Sequence, residues 1–380
     1  MIVLKILAAI DSFKGSLSTF EAGEAIARGA KRACPTAEVE ISPIADGGEG
    51  TVDAIVSATG GERVTVRVTG PMGNAVNATY GIVHGDTAVM EMSAAAGITL
   101  IAPEARNPMK TTTYGVGEMM LDALSRGVRR FILGIGGSAT NDGGVGMLQA
   151  LGVRFLNKSG CEIGFGAAAL EGLDQIVLDG LCPTLAACEF LVACDVKNPL
   201  CGEHGCSAVY GPQKGATQET VREMDGYLSH YAALTKAVLP HADPDFEGAG
   251  AAGGLGFALQ AYLGATLTGG ISLVMRETGL EEKIRHADVV VTGEGRLDGQ
   301  TGMGKAPVGV ASLAKKYGKT VIAFAGCVTP DARACNDCGI DAFFPILRAP
   351  CTLAEAMDKQ NASENLADTA EQVFRLLGRS

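Results

Sequence analysis

Two glycine-rich blocks hold the residues best suited to chemistry. One is Gly134-Ile-Gly-Gly-Ser-Ala-Thr-Asn-Asp-Gly-Gly-Val-Gly146, directly after the apolar run Phe131–Leu133. The other is Gly293-Glu-Gly-Arg-Leu-Asp-Gly-Gln-Thr-Gly-Met-Gly-Lys305, after Val289–Val291. Glycine lets the main chain approach a ligand closely, and a following helix offers free N–H groups and the positive end of its dipole. Carboxylates do not bind phosphate, but they can hold Mg2+ or accept a proton. Glycine, lysine and carboxylate together at strand ends point to a polyphosphate with its metal.

Known patterns fit these blocks only in part. Gly134-Ile-Gly-Gly-Ser-Ala139 matches the dinucleotide pattern G-x-G-x-x-A. That pattern needs an acid closing the next strand to hold a ribose. Here the next strand, Val153–Leu156, ends in Asn157-Lys158. An anion site built from Gly136, Gly137, Ser138, Thr140 and Asn141 is therefore expected, the plain alternative being a tight turn with no ligand. Gly299-Gln-Thr-Gly-Met-Gly-Lys305 matches the front of a P-loop, but Ala306 stands where the metal-binding Ser or Thr belongs. The strand also ends well before Gly299. Lys305 at a helix start could still hold phosphate, and the alternative is a solvated loop lysine.

Further acids and cations sit just past predicted strands: Asp11 and Lys14, Asp46 and Glu49, Asp195, Glu294 and Asp298. In an open parallel sheet, ligands bind at those carboxyl ends. A lone acid there is usually a helix cap, which Asp46 and Asp142 could be. Asp195 differs, because Val196-Lys-Asn-Pro199 opens no helix. The five histidines lie in ordinary surface-like contexts, so acid–base duty falls to a carboxylate. No G-x-S-x-G elbow supports hydrolase chemistry.

The elements that must position these residues follow from apolar periodicity. Ile2–Ile10 reads as a strand buried on both faces, Ser18-Thr-Phe-Glu21 has capping-box spacing, and a helix is predicted to about Arg32. Val39–Ile44 is a second strand, followed by Ala45-Asp-Gly-Gly-Glu-Gly50 and a helix. Near Gly60 the texture changes. Val64, Val66 and Val68 alternate with polar residues, and short strands at about 75–83 and 87–92 complete an antiparallel meander. A helix over Tyr114–Arg126, strands at Phe131–Ile135 and Phe190–Cys194, and a helix over Val145–Leu151 come next. The Gly/Ala run Gly248–Gly256 is expected to allow close packing or ligand approach rather than act as a linker. Strand–loop–helix texture returns with Ala287–Thr292, Ala306–Tyr317 and Thr320–Ala325.

The matching texture of the two ends implies an α/β protein of two domains. Residues 1–60 and 284–380 form a discontinuous, parallel-sheet domain, and 61–283 an inserted mixed-sheet α/β domain. A chain of 380 residues is also too long for one ordinary core. A net charge of −11 and an aromatic content of 5% argue against a nucleic-acid partner. The 11 cysteines form no regular framework and suggest reduced thiols. Cys335-Asn-Asp-Cys338 lacks the second pair that a structural zinc site needs. With no signal-peptide pattern and no apolar run of spanning length, a cytoplasmic location and no membrane partner are expected.

Six blocks in order carry a family resemblance. They are Ala9-Ile-Asp-Ser-Phe-Lys-Gly-Ser16, Ala45-Asp-Gly-Gly-Glu-Gly50, Gly134–Gly144, Cys194-Asp-Val-Lys-Asn-Pro-Leu200, Tyr210-Gly-Pro-Gln-Lys-Gly215 and Thr292-Gly-Glu-Gly-Arg-Leu-Asp-Gly-Gln-Thr301. Together they resemble the signature blocks of bacterial glycerate kinases over nearly the whole chain. The resemblance implies ATP-dependent phosphorylation of D-glycerate, usually at the 2-hydroxyl. It also implies two α/β domains, a discontinuous flavodoxin-like one and an inserted one, with the active site in the cleft between them. Within it, Lys14, Lys197, Lys214, Arg296 and Lys305 are candidate cations for phosphates and the glycerate carboxylate, Lys14 being placed in the catalytic group. Asp195 is the candidate general base. Asp46 and Glu294 are candidate Mg2+ ligands, and the roles of these three acids are interchangeable at this point. Phosphorylation at the 3-hydroxyl, or of another small hydroxy acid, is the nearest alternative. A nicotinamide-dependent dehydrogenase and a non-catalytic two-domain binding protein are more distant ones. A homo-oligomer is left open.

Overall fold

The computed structural model describes residues 3–299, 301–303 and 305–377. Ile2, in the first predicted strand, and Gln300 and Gly304, in the second glycine block, lie outside the described residues. The strands are β1 (Lys5–Ala8), β2 (Glu38–Ile41), β3 (Glu62–Thr69), β4 (Ala75–Val83), β5 (Thr87–Glu91), β6 (Arg130–Gly134), β7 (Arg154–Asn157), β8 (Leu173–Val177), β9 (Glu189–Ala193), β10 (Thr266–Thr268), β11 (Val289–Leu297), β12 (Thr320–Val328) and β13 (Ala342–Pro345). The chain divides into two compact units. Met1–Asp46, Asp53–Thr59 and Ile271–Ser380 make up the first, and Gly47–Val52 and Gly60–Gly270 the second.

In the first unit, five parallel strands run in the order β13-β12-β11-β1-β2. Counted within the unit alone, this is the doubly wound 2-1-3-4-5 order of flavodoxin-like sheets. Successive strand side chains point to opposite faces. Ile6, Ala8 and Ile10 pack with residues of the helices Thr19–Ala33 and Lys359–Leu377. Leu7 and Ala9 pack instead with residues of the helix Ala306–Lys315. Cover on both faces explains why these strands read as unbroken apolar runs. The first helix starts where the capping box predicts. Ser18 N–H donates to the Glu21 carboxylate at 3.0 Å, and Glu21 N–H returns a bond to Ser18 Oγ at 3.3 Å. Such a cap contributes about 1 kcal/mol.

One element runs longer than its sequence suggested. β11 does not stop at Thr292 but continues to Leu297, with Glu294 opposite Ala325 and Arg296 opposite Cys327 of β12. The ladder to β12 overrides the poor strand propensity of Gly-Glu-Gly. The first five of the thirteen residues of the second glycine block are therefore strand, and Glu294 is held by a sheet rather than by a loop.

The second unit holds a six-stranded sheet in the order β10-β9-β6-β5-β4-β3. β10, β9, β6 and β5 are parallel, and β4 and β3 complete it as the antiparallel meander. β7 and β8 form a separate antiparallel ribbon. The Gly/Ala run is not a linker. Most of it lies in the buried helix Ala251–Leu263, whose first turns kink through Ala252, Gly253 and Gly254 at positive φ.

Candidate active site

In the first unit, chemistry-bearing residues gather at the carboxyl ends of β1 and β11, the point where strand order reverses and where open α/β sheets bind ligands. Asp11 lies three residues past β1, its N–H bonded to Gly293 O at 2.9 Å. It is 4% exposed. Burial, with repulsion from Asp46 second, pushes its carboxyl up to about 7, although Ser12 N–H and the Lys14 ammonium pull the other way. Glu294 adds to the repulsion. The Glu294 carboxyl is itself raised by burial and eased by a bond from Thr301 Oγ1 at 2.7 Å and by the charges of Lys305 and Lys14. Lys14 Nζ stands 3.7 Å from Asp46 Oδ2, both side chains reaching solvent. Thr292 Oγ1, buried in β11, has no hydrogen-bond partner among the described residues.

Arg296, Asp298 and Thr301 of the second glycine block join this cluster. Thr301 N–H donates to Asp298 Oδ1 at 3.2 Å, and Arg296 Nε lies 3.5 Å from Asp298 Oδ2. Lys305 occupies the cap position of the helix Ala306–Lys315, whose first turn carries Pro307. Sequence reasoning flagged Asp11 only as an acid past a strand. The structure makes it the most buried carboxylate of the group, flanked by Asp46 and Glu294.

In the second unit, β6 ends at Gly134 and the first glycine block turns into the helix Val145–Ala150. Gly136 and Gly137 are exposed, while Ser138, Thr140 and Asn141 are buried. Thr140 Oγ1 and Asn141 Oδ1 have no hydrogen-bond partner among the described residues. Asn141 Nδ2 donates to Ser207 Oγ at 2.8 Å. Asp142 is a structural acid: it is 1% exposed and accepts from Thr113 N–H, Thr113 Oγ1, Gly144 N–H and Gly146 N–H. The Gly47-Gly48 stretch of the Ala45–Gly50 block lies against this loop. A Cβ on Gly134 would strike Gly47 O, so only glycine admits the approach.

The other candidates fall as follows. Asp195 is exposed, and its Oδ1 accepts the Gly270 N–H at 2.9 Å, at the start of the helix Gly270–Glu277. It thus caps a helix remote in sequence, which local pattern could not reveal. Lys197 pairs with Glu247 at 3.0 Å on the surface. Lys214 is buried and bonds to Thr140 O. Among the histidines, His230 and His241 bond to the backbone carbonyls of Leu173 and Ala261, each at 2.9 Å. All eleven cysteines are free thiols. Among the described residues, no three His, Cys, Asp or Glu side chains converge to hold a metal, and no helix is long and apolar enough to cross a membrane.

The model of the glycerate kinase family matches residues 6–378. The chain belongs to the glycerate kinase family. It is 48% identical over 376 residues to the glycerate 2-kinase of Escherichia coli K12, covering 98% of each chain. It is 48% identical over 371 residues to the glycerate kinase of Bacillus subtilis 168, covering 97% of each. A crystal structure from Salmonella typhimurium LT2, assigned as a glycerate kinase 2, superposes with a TM-score of 0.90 at 47% identity. That match covers 100% of this chain and 99% of the other. The expected α/β architecture, with one parallel and one mixed sheet, is the one this family member adopts.

Proposed function

We propose that this enzyme transfers the γ-phosphoryl group of ATP to the 2-hydroxyl of D-glycerate, giving 2-phosphoglycerate and ADP. The observation that carries the reading is the end-to-end similarity to a glycerate 2-kinase. Phosphoryl transfer demands positioning and charge neutralisation more than covalent chemistry. The residues present suit that demand. Gly136, Gly137, Ser138, Thr140 and Asn141 supply N–H, hydroxyl and amide groups for an anion. Lys14, Arg296 and Lys305 are cations for phosphate or carboxylate, and Lys197 would have to leave Glu247 to serve.

Asp46 and Glu294 are the carboxylates we assign to Mg2+. The fit rests on the crowding at the β1 and β11 ends: Asp11 is driven up to about 7 in part by its acidic neighbours, a repulsion that a divalent cation relieves. Mg2+ keeps several waters and uses one or two protein carboxylates, so a full protein cage is not required. When bound, the ion would neutralise phosphate charge. Asp195 is assigned as the base that takes the glycerate hydroxyl proton. Asp11 is a second candidate for that duty, because a carboxyl near 7 is poised to exchange a proton at working pH. The test is ADP release from ATP with D-glycerate, set against L-glycerate, glycolate and lactate. Turnover confined to D-glycerate supports the proposal, and equal turnover of all four contradicts it.

A further inference from the structure

Lys214 closes the short turn Pro212–Lys214 and is 2% exposed. Its ammonium donates to Thr140 O at 2.6 Å. It makes no ion pair among the described residues. Two titratable groups face it, the Asp142 carboxylate and the Cys206 thiol. Burial holds the Cys206 thiol up at about 12, so it stays neutral. The Asp142 carboxylate is committed to four donors, two from Thr113 and two from the N–H groups of Gly144 and Gly146. A neutral donor could hold one carbonyl at far lower desolvation cost than a buried ammonium. Anchoring Thr140 is therefore an insufficient reason for a charge here.

The surroundings supply a better one. The glycine loop is pinned from several sides: Ala139 N–H to Ala96 O at 2.9 Å, Ile98 N–H to Gly137 O at 2.9 Å, and Asn141 to Ser207. Behind it stands Gly253 at φ +70°, where a Cβ would collide with Thr140 O. The loop cannot retreat. Two polar atoms of the same turn, Thr140 Oγ1 and Asn141 Oδ1, belong to fully buried residues and lack partners among those described. A rigid loop with an unmatched Thr140 hydroxyl able to donate, and beneath it a cation with no ion pair among the described residues, is arranged for an anion; Asn141 Oδ1, which only accepts, suits a donor group of the same ligand.

We infer that Lys214 is a positioning residue for the anionic group that the Gly136–Asn141 loop receives. It fixes the Thr140 carbonyl and lends positive charge from below without touching the ligand. The inference rests on the proposed kinase reading. The anion is either a nucleotide phosphate or the glycerate carboxylate, and the two substrates titrate separately. Burial draws the Lys214 ammonium down to about 8, so its contribution should fade as pH rises through that value.

The test compares wild type with Lys214→Met and Lys214→Arg. Lys214→Met should melt close to the wild-type temperature, because removal of a buried charge offsets the loss of the donor to the Thr140 carbonyl. Its KM for one substrate should rise about tenfold or more, a loss in keeping with removal of one low-dielectric charge. A rise for ATP assigns the anion to phosphate, and a rise for glycerate assigns it to the carboxylate. The wild-type decline in kcat/KM above about pH 8 should vanish in Lys214→Met. Lys214→Arg, which does not titrate in this range, should keep much of the affinity and also lack the decline. The inference is overturned if Lys214→Met keeps both KM values within about twofold of wild type, keeps the alkaline decline, or melts well below wild type. Should wild type turn over no glycerate, the kinase reading fails by itself. Calorimetric binding of ADP and of D-glycerate to wild type and Lys214→Met then still decides the role of Lys214.

Discussion

Asp142 and Thr113, far apart in sequence, are joined by two hydrogen bonds: the Thr113 N–H at 2.8 Å and its hydroxyl at 2.9 Å both end on Asp142 Oδ2. Thr113 Oγ1 in turn accepts from Met147 N–H at 2.9 Å, which ties the loop to the helix that follows it. Asp142→Ala would strand several buried donors. We expect a loss on the order of 3 kcal/mol, read as a fall in the urea midpoint with unchanged m-value. Thr113→Val should lose less, because the backbone N–H remains. A wild-type midpoint for Asp142→Ala would show that the glycine loop is held by other means.

Asp11 predicts a pH dependence of stability. Its carboxyl is raised from the ordinary 3.8 to about 7 in the folded state, so the native protein holds a proton that the unfolded chain has released. Stability from this group is therefore full below about pH 4, declines as pH rises toward 7, and stays reduced above. Asp11→Asn removes the penalty. At pH 8 it should be more stable than wild type by about 2–4 kcal/mol, and at pH 4 nearly equal. Denaturant melts at the two pH values measure this. Equal gains at both would refute it.

Mg2+ should raise the melting temperature of wild type at pH 8, because it binds folded carboxylates only. Asp46→Asn and Glu294→Gln should each shrink that shift, whereas Glu247→Gln, at an exposed pair with Lys197, should leave it intact. A shift unaffected by both site variants would remove these two acids from the metal site.

Asp195→Asn separates three roles. A base contributes about 10²–10⁴-fold to rate, so kcat should fall by that order with the melting temperature close to wild type. The amide oxygen can still accept from Gly270 N–H, which keeps the helix cap. Partial rescue by raised Mg2+ would mark Asp195 as a metal ligand instead. Near-normal kcat would pass the duty to Asp11, whose own Asn variant then becomes the comparison.

Much of this was legible in the chain. The apolar runs gave β1, β6, β9 and β12 within a few residues, and the Ser18–Glu21 spacing gave the first helix start, because those signals are local. Glycine blocks at strand ends located both loops. Relations set by the sheets were not legible. Asp11 gains its character from the strand order that puts β11 beside β1, and nothing near Asp11 in sequence encodes that neighbour. Asp195 read as uncapping because its partner, Gly270 N–H, lies 75 residues on. Lys214 read as a ligand cation, since charge type is visible in a sequence and burial is not.

The most direct test of the proposed reaction is the proton-coupled ³¹P spectrum of the product formed from ATP, Mg2+ and D-glycerate. Carbon 2 of glycerate bears one hydrogen and carbon 3 bears two, so the position of the phosphate is written in its splitting. Transfer to the 2-hydroxyl should give a doublet that grows in step with ADP. A triplet would place the phosphate on the 3-hydroxyl, and no new glycerate-dependent phosphorus signal would contradict glycerate phosphorylation altogether.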